Sequence, residues 1–144
     1  VRSSAASDVY KRQVLDYVKE RLTFNTQLNT IIDYGRNKFP MVERIGVETV
    51  AYQKSLAQEL RRLSLLPIIN INTSKDKVTR AMRRSANFEN HKVYFREGMD
   101  DLEECLLLFP EVEHDDLFDA LDFAMTMADG GNEIRVLKRE DFRI

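Results

Sequence analysis

Three carboxylates fall within five residues in the run His114-Asp115-Asp116-Leu117-Phe118-Asp119-Ala120-Leu121. Acids this crowded repel one another, and a fold tolerates them most readily by giving them a divalent cation to hold. On a helix beginning here, Asp116 and Asp119 stand three apart and Asp115 and Asp119 four apart, so each pair shares a face. Metal-dependent chemistry is the leading expectation for this stretch. A plainer role is compatible with it: Asp115 or Asp116 can cap the helix, a contribution of roughly 0.5–2 kcal/mol, while the other ligates. Asp122 reads as a surface acid. His114 reads equally as a metal ligand, a donor to a neighbouring carboxylate, or an exposed loop histidine.

The surroundings of that run are electrically segregated. Of the 144 residues, 43% are hydrophobic and 32% charged, which suits a single domain with a real core, and the net charge is only −2. Between Lys75 and Arg96, however, seven basic residues (Lys75, Lys77, Arg80, Arg83, Arg84, Lys92, Arg96) face only Asp76 and Glu89, whereas the eleven charges from Glu97 to Asp122 are all acidic. A basic surface beside an acidic pocket is what a nuclease needs, because phosphates are drawn in by cations and then shared with metals. Two solvated helix faces would give the same pattern. Lys75, Lys77, Arg80 and Arg84 are the candidate DNA contacts, with Lys77, Arg80 and Arg84 on a stripe opposite Val78, Ala81 and Met82.

The elements that must position these residues alternate between short strands and helices. Strands are expected over 14–18, 43–48, 67–71 and 92–95. Helices are expected over 26–38, 51–63, 76–86 and 100–109, with a last helix that carries Leu117, Phe118, Leu121, Ala124 and Met125 inward and ends at Gly130-Gly131. Leu56, Leu60 and Leu63 mark the inner face of the second helix, and Tyr52 and Gln53 pack or cap locally. Such alternation argues for an α/β fold with a largely parallel sheet and helices on both faces. Ligands gather at the carboxyl ends of such strands, and Glu48 sits at one of them, so the last helix passing the same edge would bring Asp115, Asp116 and Asp119 close to it. No apolar run reaches the roughly 20 residues a membrane helix needs. Cys105, the only cysteine, lies in an apolar run and reads as a buried small hydrophobe in a reducing compartment.

In this order and spacing the chain resembles a known family. The residues concerned are Ile45-Gly46-Val47-Glu48 with Tyr52-Gln53, then Ser74-Lys75-Asp76-Lys77 with Arg80, Phe109-Pro110, and His114 through Leu121. They look like the ribonuclease-H-like nuclease domain of the large terminase subunit of tailed bacteriophages, over about residues 14–128. The resemblance implies an endonuclease that cuts concatenated viral double-stranded DNA with two Mg²⁺ or Mn²⁺ ions. Glu48 looks like the family's strand-edge carboxylate, Asp116 or Asp115 like the acid at the start of the last helix, and Asp119 like a second acid found there in some relatives. An ATPase domain, a portal, a small terminase subunit and the host cytoplasm are the implied partners and setting.

The departures from the family pattern are at the N-terminus. The first metal-binding Asp and its strand are not visible before Val14; Asp8 and Asp16 are not promoted to that role. Residues 1–13 look like adapter read-through and are set aside as a leader, 14–130 as a partial nuclease domain and 131–144 as a tail. With that strand not visible, the chain is expected to be a fragment of a larger protein; no Gly-x-x-x-x-Gly-Lys-Ser/Thr run marks an ATPase either. Two other functions remain open: a different ribonuclease-H-like enzyme, such as a junction resolvase or transposase core, and a non-catalytic piece whose acids dock a basic partner.

Overall fold

The computed structural model describes residues 11–73, 76–109, 111, 116–129 and 134–137. Asp115, His114, Lys75 and Asp8 lie outside the described residues, as does the side chain of Tyr52. The order of elements is β1 (Arg12–Gln13), α1 (Phe24–Asp33) running into a π-helical turn (Tyr34–Lys38), β2 (Ile45–Glu48), α2 (Ala51–Leu63), β3 (Ile68–Thr73), α3 (Lys77–Glu89), β4 (Val93–Tyr94), α4 (Asp100–Leu108), α5 (Asp116–Ala128) and β5 (Ile134–Leu137). The expected mixed α/β architecture is observed, with short parallel pairings flanked by helices. The elements divide into two units, one formed by residues up to 19 with 75–130 and the other by 20–74 with the segment from 131.

In the second of these units, β3 is central between β2, which runs parallel to it, and β5, which runs antiparallel. The β2–β3 register pairs Ile45 with Ile68 and Glu48 with Ile71, and Thr49 extends the contact by donating from N–H and hydroxyl to the Ile71 carbonyl. Successive strand residues alternate between faces, so Ile45 and Val47 turn toward the apolar core and Glu48 toward the opposite face. Leu28 of α1 and Leu56, Ala57 and Leu60 of α2 close that core over Val47 and Ile68. The inner stripe of α2 differs in one place from the spacing of its leucines: Leu63 is half exposed, and Ala57 and Ser64 are buried instead. Ser64 ends the helix by donating its hydroxyl to the Leu60 carbonyl, an arrangement that a buried leucine could not provide. Gly35, in the π-turn, approaches Leu66 so closely that an added Cβ would lie 2.8 Å from its methyls. Thr23 starts α1, its hydroxyl accepting from the Thr26 N–H.

In the other unit the parallel pair β1–β4 matches Arg12 with Val93 and Gln13 with Tyr94, and Val14 adds one more bond to the Tyr94 carbonyl. The pairing thus falls earlier than the strand expected over 14–18. Met99, Leu102, Cys105 and Leu117 form the apolar cluster, with Val14, Tyr17 and Phe95 against it. Cys105 is buried and unbridged, as expected of a small hydrophobe. The Phe109 ring, just after α4, stacks on Phe118 of α5 at 4.4 Å between centroids. No described helix is long and apolar enough to cross a membrane. β5 was not expected from the sequence; it occupies four residues of the segment read as a tail.

Candidate active site

Asp116 is the first residue of α5 and is exposed, with Asp119 one turn on in the same acidic first turn. Negative side chains there complement the partial positive charge of the helix start. Glu48 closes β2 with intermediate exposure, in the other unit. Among the described residues no group of three His, Cys, Asp or Glu side chains comes together as a metal site.

Asp119 is engaged on both oxygens. Lys77 Nζ lies 2.8 Å from Oδ2, and Arg80 Nη2 donates to Oδ1 at 2.9 Å. Arg80 continues inward, its Nη1 donating to Asp122 Oδ2 at 2.9 Å, and its guanidinium lies over the rings of Phe118 and Phe123. Burial alone would lower the Arg80 pKa, but the hydrogen bonds and charges of Asp122 and Asp119 outweigh it and raise the pKa, so this cation stays charged. Arg84, one turn further along α3, donates from Nε to Asp122 Oδ1 at 2.7 Å and from Nη2 to the Thr126 hydroxyl, which in turn donates to the Asp122 carbonyl. Arg83 approaches the same Asp122 oxygen at 3.5 Å.

Two expectations from the sequence are corrected by this geometry. Asp122 is not a surface acid: it is 1% exposed and joins α3 to α5 through two arginines. Arg80 and Arg84 do not lie on a solvated stripe, since they are 6% and 5% exposed, whereas Val78 and Met82 on the other side of α3 are 54% and 72% exposed. The basic residues of α3 and the acids of α5 thus pair with each other inside this unit. Lys77, with 31% of its side chain exposed, is the member of the stripe that reaches solvent. A signal for Asp122 was available: it stands four residues after Phe118 and three before Met125, on the apolar face of α5.

The start of α3 is fixed by Asp76, whose carboxylate accepts from the Thr79 N–H at 2.9 Å and the Thr79 hydroxyl at 2.7 Å. The Thr79 hydroxyl, with backbone N–H groups, holds the Asp76 carboxyl below its ordinary pKa. This cap sets where Lys77 leaves the helix.

Comparison with known proteins adds one match. Residues 5–128 fit the family model described as the terminase RNaseH-like domain, beginning inside the segment read as a leader and including both Glu48 and Asp116. No curated protein and no solved structure matches the chain.

Proposed function

The chain belongs to the terminase RNaseH-like domain family, and from that premise we propose that it is the nuclease part of a viral DNA-packaging terminase, hydrolysing phosphodiester bonds of double-stranded DNA with divalent cations. The observation that carries the reading is the family match over residues 5–128, which takes in Glu48, Asp115, Asp116 and Asp119, the acids singled out by their chemistry. Glu48, Asp115 and Asp116 are the carboxylates assigned to Mg²⁺ or Mn²⁺. The donor chemistry fits, because hard divalent cations take oxygen ligands and neither Glu48 nor Asp116 is buried. When bound, such ions supply Lewis acidity toward water and phosphate. The protein's own contribution is to hold the start of α5 in a fixed orientation, through Asp122 on Arg80 and Arg84 and through Phe109 on Phe118. An ATPase domain, a portal and a small terminase subunit are the proposed partners, and the host cytoplasm the proposed setting.

Incubation with supercoiled plasmid and Mn²⁺ tests the reading. Nicked and linear products are expected, lost with a chelator and lost in Asp116→Asn and Glu48→Gln. Cleavage that survives the chelator or both substitutions, or no cleavage and no Mn²⁺ binding by the unaltered chain, refutes it.

A further inference from the structure

Resting on the nuclease reading, we infer that Asp119 is a positioning residue that holds Lys77 against the phosphate backbone of the DNA beside Asp116, and not a metal ligand. Both Asp119 oxygens are engaged by cations, Oδ2 by Lys77 and Oδ1 by Arg80. Ligating a metal would require at least one of these pairs to break. The pair with Arg80 is the harder to break, since that side chain is only 7% exposed and its guanidinium also holds Asp122 and is packed over two phenylalanine rings. Leaving a buried cation short of a carboxylate is far costlier than breaking an exposed pair. Asp119 is thus fixed from the interior of the unit outward, in the order Asp122, Arg80, Asp119, Lys77.

Lys77 is where that chain of contacts reaches solvent. Its side chain is 31% exposed, against 7% for Arg80 and 6% for Arg84. An ammonium carries three N–H donors and can hold Asp119 and a phosphate oxygen together. The location suits such a contact, because Asp116 and Asp119 are three apart on α5 and their Cβ atoms are about 5–6 Å from each other. A cation placed beside Asp119 is therefore within one nucleotide's reach of whatever Asp116 binds. The basic stripe expected to face DNA is reduced to a single lysine, aimed by an acid that the spacing alone assigns to metal.

Three variants of the chain separate these roles, each first checked for an unchanged far-UV circular dichroism spectrum: Lys77→Met, Asp119→Asn and Asp116→Asn, with Lys77→Arg as the charge-conserving control. Mn²⁺ affinity is read by titration calorimetry, and binding to a DNA duplex by its dependence on salt. Lys77→Met and Asp119→Asn are expected to keep the Mn²⁺ affinity, to weaken DNA binding uniformly across sequences, and to reduce the salt slope by about one. Lys77→Arg should restore the slope, and Asp116→Asn should lower Mn²⁺ affinity by more than about ten-fold. A loss of Mn²⁺ affinity in Asp119→Asn equal to that in Asp116→Asn makes Asp119 a ligand and overturns the inference, as does a normal salt slope in Lys77→Met. If Asp116→Asn leaves Mn²⁺ binding intact, it is the assignment of the metal that fails, and the DNA-binding results still decide the role of Lys77.

Discussion

In the unit built on β2 and β3 the inward face of α2 is Leu56, Ala57 and Leu60, whereas in the other unit the inward face of α3 is Arg80 and Arg84. The first arrangement gains free energy by removing apolar surface from water, a non-directional effect that tolerates small shifts of the helix. The second gains little net energy, because desolvating the charges offsets most of their attraction, but it tolerates no loss of a partner. Directionality is what the ion-paired unit acquires in exchange. Asp122 meets two arginines one turn apart on α3, so α5 cannot rotate or slide without separating them, and Asp116 at its start is held in one direction.

Single and combined substitutions test the contrast. The largest effect is expected from Asp122→Ala, which leaves Arg80 and Arg84 buried without their shared carboxylate; a loss of about 3–5 kcal/mol in urea unfolding is expected. A loss below about 1 kcal/mol would show that these cations find water or another acid. Leu60→Ala, at a position with no exposure, should cost about 2–5 kcal/mol through transfer and cavity effects. The contrast appears when whole groups are exchanged: replacing Arg80, Arg84 and Asp122 together by Met, Met and Leu should return stability to near or above the starting value. No comparable polar replacement should be tolerated at Leu56 and Leu60. On the outward face of α3, Val78→Glu and Met82→Lys should each change stability by less than about 0.5 kcal/mol, since both side chains are largely in water. A larger loss from either would mean that this face is covered.

The smallest effect concerns the cap of α3 and depends on pH. Because the Asp76 pKa is lowered in the folded chain, its contribution to stability is present above the ordinary carboxylate range and is lost as pH falls through the depressed value. The melting-temperature gap between the unaltered chain and Asp76→Ala should therefore narrow as pH falls below about 4. A gap that stays constant or widens would contradict the bonds from Thr79.

Where apolar periodicity decided the structure, the sequence was legible. The span of α2 and the burial of Leu56 and Leu60 follow from leucines at helical spacing, and Asp116 was placed correctly at a helix start. Where polar side chains do the packing, periodicity misled. Arg80 and Arg84 pattern as an outer face by hydropathy, and only the complementary spacing of Asp119 and Asp122 on α5 hints that they turn inward. The two-residue strands β1 and β4 are too short to carry alternation, so the pairing at Arg12 and Gln13 leaves no periodic signal and the apolar pattern points to the next residues instead. In β5, Ile134 and Val136 offered a weak strand signal after Gly130-Gly131, and its pairing with β3 depends on tertiary context. Of the candidate acids, spacing identified which residues share a helix face, but it could not show that Asp119 is already held by Lys77 and Arg80.

The most direct measurement is the anomalous scattering of Mn²⁺ in crystals of the chain. The account predicts a peak about 2.1 Å from a carboxylate oxygen of Asp116, with Asp119 still bonded to Lys77 and Arg80. A peak away from Asp116, or none at saturating Mn²⁺, would contradict it.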